Sequence, residues 1–219
     1  MHNTKSLKHI IFAFFVLVLC VSCGVSGGSS ASSPTSNHSP ATDDPTQNYF
    51  EFITAGAENT AQYSNGYKGV AIFYRIYTNA SDITSFYNNS IASETSGDTA
   101  RTKLVNAGYK NLNGAIDFIV PASSTNETVE IRLFDETSYS KGIKVNGTVI
   151  AQPTRNVSNK TFQFSSTEYP RNGDGDFGGT ETSTGPWYVG AYAVSVVQGQ
   201  SMLDEHSKPK YLGYIKIYY

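Results

Sequence analysis

Val70-Ala71-Ile72-Phe73-Tyr74-Arg75-Ile76-Tyr77 is the stretch on which the fold turns. Successive side chains of a strand point to opposite faces, so Val70, Ile72, Tyr74 and Ile76 share one face, while Ala71, Phe73 and Tyr77 share the other with Arg75. Both faces are largely apolar. A strand of that kind lies within a sheet and needs cover on each side. The segment after it reads as cover. Ser81 and Asp82 are cap residues for a helix over Ile83 to Ile91, and Asp98 caps a second one through Ala100, Leu104 and Ala107 that Gly108 stops.

Strand signals lie on both sides of this unit. Tyr49 to Thr54 alternates, and Asn65-Gly66 marks a turn. Gly114 to Val120 has strand character up to Pro121. Val129, Ile131 and Leu133 alternate with Glu130 and Arg132, which describes one buried and one wet face. Ile143 to Ile150 encloses Asn146-Gly147, a hairpin signal because both turn positions need positive φ. Thr161 to Ser165 is a further short strand, and the Trp187–Val197 and Tyr211–Tyr219 runs make an antiparallel pair. About eight strands joined by turns predict a mainly β fold, an antiparallel β-sandwich with a helical insertion around 81–108. The pattern is similar to fibronectin type III or immunoglobulin-like domains, with Tyr188–Val197 resembling a penultimate strand and the last run a closing strand. The resemblance covers about half the domain. The helical insertion departs from both families, and there is no Cys–Trp–Cys signature.

The chain begins with a basic head (Lys5, Lys8), an apolar run from Ile10 to Leu19, and Cys20-Val21-Ser22-Cys23-Gly24. Ten to twelve apolar residues are too few to cross a bilayer core of roughly 30 Å but suit an export signal over residues 1–22. The close resembles a bacterial lipoprotein box of the looser kind found in spirochaete lipoproteins. Ser22 stands before Cys23, while Cys20 occupies the place usual for leucine. That resemblance implies acylation at Cys23, a lipid bilayer as partner, and a cell-envelope location, lipid-anchored at one face of the outer membrane. Residues 24–47, rich in Ser, Gly, Pro and Thr without apolar period, predict a disordered tether, and 48–219 one domain.

Loss of Lys5 and Lys8 with the signal leaves 14 basic side chains against 18 acidic ones, a formal charge of −4. No basic field is present to hold nucleic acid. One remaining cysteine excludes a disulfide framework and a thiolate metal site, and no cofactor is implied.

Asn172, Asp174 and Asp176 have the spacing of a calcium loop. The EF-hand template nevertheless fails at Phe177 and Ser183, and a Gly-rich turn accounts for the same residues. His206, beside Asp204 and Glu205, lacks a Gly-x-Ser-x-Gly elbow and His or Cys partners, and reads as an exposed loop histidine. No catalytic residue is assigned. Fifteen tyrosines supply amphipathic area, and Tyr214 and Tyr218, on the face opposite Ile215 and Ile217, are the expected exposed ones. The expected function is a non-catalytic interaction or adhesion module for an unidentified protein or glycan. The alternatives are an envelope hydrolase acting on glycan or peptide, or a structural envelope component.

Overall fold

A computed structural model describes residues 31–63, 66–114, 118–136, 138–158, 160–199 and 202–217. The export signal, Cys23 and Tyr218 lie outside them. The chain runs β1 (Phe50–Ile53), α1 (Gly56–Tyr63), β2 (Tyr67–Tyr77), α2 (Ala80–Phe86, continued by one π-helical turn, Tyr87–Ile91) and α3 (Gly97–Asn106). Then follow β3 (Lys110–Asn111), β4 (Val120–Pro121), β5 (Thr128–Arg132), β6 (Gly142–Val145), β7 (Thr148–Ala151), β8 (Thr154–Val157) and β9 (Lys160–Gln163). β10 (Phe177–Gly178), β11 (Trp187–Gln198), β12 (Asp204–His206) and β13 (Lys210–Ile217) complete it. The fold is mainly β, with antiparallel sheets and three short α-helices.

β2 and β11 form the centre of the broad sheet, antiparallel from Tyr188 opposite Tyr77 to Val197 opposite Tyr67. β12 and β13 pair with the other side of β11. Three two-residue strands occupy the other side of β2: β4 at Gly69–Val70, β3 at Phe73–Tyr74, and β10, the parallel one, at Ile76–Tyr77. The smaller sheet has the order β1-β5-β6-β7, and β8 and β9 form a separate hairpin.

The two apolar faces of β2 feed two cores. Val70, Ile72, Tyr74 and Ile76 join Val189, Ile215 and Ile217 in packing against Phe50, Phe52, Val129, Ile131 and Ile143 of the smaller sheet. Ala71, Phe73 and Tyr77 pack with Tyr192 and Val194 against Ile83, Ile91 and Leu104 of the helices. The helical cover expected from the sequence is therefore where β2 needs it. α3 begins with Ser96 as its cap, the Thr99 N–H donating to its hydroxyl, and Gly108 follows it at φ +88°. α2 has no side-chain cap. Asn146 and Gly147 both have positive φ, as the hairpin requires.

Three expectations are corrected. The Gly114–Val120 strand reduces to β4, with Ala115–Asp117 outside the described residues. Arg132 does not face water. It is 4% exposed, clasped between the rings of Tyr49 and Tyr139 at 4.3 Å from each centroid, and it donates to the Pro45 and Thr46 carbonyls. Nor is the segment 31–47 a free tether: it is strapped along the domain. Ala31 is buried beside Tyr67 and Val197, and Thr35 exchanges backbone hydrogen bonds with Ile53. His38 stacks on Tyr49, and Asn48 closes two hydrogen bonds with the backbone of Lys216. Backbone and amide hydrogen bonds hold this strap, so it carries no apolar period for a sequence reading to detect.

Candidate functional site

Tyr211 and Tyr214 lie on the helix-covered face of the broad sheet, although their odd spacing would put them on opposite faces of a regular strand. A bulge explains it. Gly190 pairs with Tyr214 and Tyr192 with Tyr211, so Leu212 and Gly213 together oppose Ala191. The extra residue flips the alternation, and Leu212 and Ile215, also three apart, both point into the core between the sheets. Gly213 sits at φ +84°, and a Cβ there would stand 3.0 Å from Cδ of Pro40 in the strap.

Beside the bulge is a groove of about 370 Å³ whose walls include His38 and Pro40 of the strap, Thr84 of α2, and Lys210, Tyr211 and Tyr214 of β13. Tyr211 stacks on Tyr87 with ring centroids 4.4 Å apart, and Tyr214 meets Tyr188 edge to face. Behind them run Tyr192, Tyr109 and Tyr77, each in ring contact with the next. Burial pushes Tyr211 up to about 12, opposed by the Thr84 hydroxyl. It pushes Tyr109 and Tyr192 higher still, reinforced by the neighbouring phenols. All stay protonated at neutral pH and offer amphipathic surface rather than charge. Tyr214 is half-buried, more enclosed than the alternation of its strand suggests.

The carboxylates proposed for calcium are engaged elsewhere. Arg155 is 1% exposed and donates Nε to Asp176 Oδ2 at 3.0 Å and Nη2 to Asp176 Oδ1 at 2.8 Å. It also reaches Asp174 at 2.8 Å and the Glu168 carbonyl at 2.7 Å. The Tyr74 hydroxyl donates to Asp176 at 2.7 Å. Asn172 turns to the Glu181 N–H. Burial works against the Arg155 charge, but its bonds to Asp176 and Asp174 outweigh that and hold its pKa above the ordinary arginine value. A buried guanidinium thus supplies the positive charge that the acidic loop needs, and no group of three metal-ligating side chains occurs among the described residues.

His206 is on β12 with a side chain only 12% exposed, not in an open loop. Its Nδ1 is 2.7 Å from Oδ1 of Asp98 at the start of α3. Burial lowers its pKa, opposed by that bond, so the imidazole is neutral at neutral pH. It lines a cavity of about 340 Å³ with Phe73, Arg101, Asn111, Leu203 and Asp204. A His–Asp pair is two-thirds of a hydrolytic triad. The hydroxyl next along the chain is committed: Ser207 accepts from the Ser195 N–H and donates to the Lys208 carbonyl.

The groove could not be read from the sequence, because the bulge that creates it and the strap that walls it leave no periodic mark. Gly213 between two tyrosines was the only available signal. Comparison of the chain with family models, with curated proteins and with solved structures gave no match.

Proposed function

We propose that this protein is a lipid-anchored lipoprotein of the bacterial envelope whose single β-sandwich domain, of the fibronectin type III or immunoglobulin-like kind, is a non-catalytic interaction module. The two facing sheets support the sandwich, and the residues from Lys5 to Cys23 support the anchor at the outer membrane. The observation that carries the interaction role is the groove, in which a bulge sets Tyr211 and Tyr214 side by side beneath His38 and Pro40. Rigid aromatic rings with polar tips suit recognition of protein or glycan, since they present area at small entropic cost. The His206–Asp98 pair favours a hydrolase as second reading, with glycan or peptide as substrate.

Mass spectrometry of the mature N-terminus tests the anchor. Acylated Cys23 is expected, and Cys23→Ala should move the protein from the detergent phase to the aqueous one. A free N-terminus at another residue refutes the anchor. A glycan array and a pull-down against extracellular-matrix proteins test the groove, with Tyr214→Ala expected to weaken a retained ligand about tenfold, the loss of one aromatic contact. Ligand binding indifferent to Tyr214→Ala removes the groove from the function. Product release abolished by His206→Ala establishes the hydrolase instead.

A further inference from the structure

The strap determines which end of the domain faces the membrane, and that end carries an apolar tip. Resting on the Cys23 anchor, we propose that Met202 and Leu203 dock into the lipid surface that holds the acyl chains, seating the domain on the bilayer in one orientation.

Only Gly24–Ser30 separate Cys23 from Ala31, which is 4% exposed in a cluster with Tyr67 and Val197. Ser32 next to it is clamped by Asn59, which accepts from the Ser32 N–H at 2.8 Å and donates to its carbonyl at 2.9 Å. The eight residue steps from Cys23 to Ala31 span at most about 29 Å when fully extended. The anchor therefore cannot lift the domain far, and it pulls on the Tyr67–Val197 end of the central strand pair. β11 leaves Val197 for Gln198 and the turn that follows, where the Gly199 N–H donates to the Leu203 carbonyl and the Met202 N–H to the Gly199 carbonyl. Two residues of strand advance only about 7 Å, so the turn and the anchor leave the domain at the same end.

Met202 is 75% exposed and Leu203 70%; no other large apolar side chain among the described residues is more than half exposed. Met202 also holds a left-handed backbone, φ +64°, which strains a non-glycine residue. The strain falls where the side chain is most exposed to solvent. The charges nearby are mixed, Lys68 being paired with Asp204 and Glu205 following, so the tip has no basic field for anionic headgroups. Contact is apolar. Tethering supplies the local concentration, so the tip needs little affinity of its own.

The test uses mature, acylated protein in phosphatidylcholine vesicles. Acylation consumes the Cys23 thiol and Cys20 leaves with the signal, so an introduced cysteine takes the only label. A fluorophore is placed at Met202→Cys or at Ser183→Cys, an exposed position in the loop before β11 at the opposite end. Quenchers on the lipid chains should act about threefold more strongly at 202 than at 183, as for side chains roughly 5–10 Å into the headgroup boundary. Adding anionic lipid should leave that ratio unchanged. Equal quenching at both positions on acylated, vesicle-bound protein overturns the docking and leaves the anchor standing. So does crosslinking of two copies through position 202 without lipid quenching. Protein that lacks acyl chains at Cys23 and fails to float with vesicles overturns the anchor and the docking together.

Discussion

Arg155 shows how much one buried charge can organise. Its guanidinium holds Asp176, Asp174 and the Glu168 carbonyl, and Asp176 in turn accepts from Tyr74 on β2, so the loop from Glu168 to Gly178 is fastened to the central strand. The Ile76 N–H donating to the Asp176 carbonyl extends that fastening into the parallel pairing of β10. Arg155→Leu leaves Asp176 buried without its partner, which typically costs about 3–5 kcal/mol. For a domain of this length that is a fall of about 10 °C in Tm. Calorimetry of the variant checks it, and a change under about 2 °C, less than 1 kcal/mol by the same scaling, would mean that the network is dispensable. Neither this arginine nor Arg132 was legible as buried. A charged side chain at an alternating position reads as wet, and only partners remote in sequence, Asp176 or the Tyr49 and Tyr139 rings, make its burial tolerable.

Among the elements, the close approach of α2 to β11 depends on Gly190. A Cβ there would stand 2.5 Å from Cγ2 of Ile83, a fully buried side chain with no room to withdraw. Gly190→Ala should destabilise by about 1–3 kcal/mol through overpacking. Combining it with Ile83→Ala should recover at least about 0.5 kcal/mol relative to the sum of the single changes. Urea denaturation of the four proteins measures this, and strict additivity contradicts the contact. The elements that sequence reading recovered are those with strong local patterns: β2 with two apolar faces, the helices over 80–91 and 97–106, the β6–β7 hairpin and the β11–β13 pair. Those it missed are α1, β8 and β12, and the two-residue strands β3 and β10, too short to carry alternation and defined by the strand they lean on.

At the scale of the molecule, the layer of phenols between the broad sheet and the helices makes stability sensitive to alkali. Burial raises Tyr211 to about 12, and Tyr109 and Tyr192 further, the last two also repelled by neighbouring phenols. A tyrosine in the unfolded chain ionises near 10. Between about 10 and the folded values the native state therefore holds protons that the unfolded state has lost. Their stabilising contribution is complete below about pH 10 and is lost as pH rises beyond it, at about 1.4 kcal/mol per pH unit for each such group. Urea midpoints should be flat from neutrality to about pH 9 and fall steeply above about pH 10, with tyrosinate absorbance rising together with unfolding. Absorbance that titrates fully near 10 in a protein still folded would refute this.

The pairing of the broad sheet restricts how another molecule can engage it. β3, β4 and β10 take up stretches of the outer side of β2. The His206 N–H at β12 donates to Asp98, and the backbone of Lys216 in β13 is occupied by the Asn48 amide. Among the described residues, neither margin offers a visiting peptide an uninterrupted row of main-chain donors and acceptors, which disfavours partners that bind by donating a strand. Selectivity at this sheet then falls to side-chain chemistry, and a change of a few aromatic residues could redirect it without altering the scaffold.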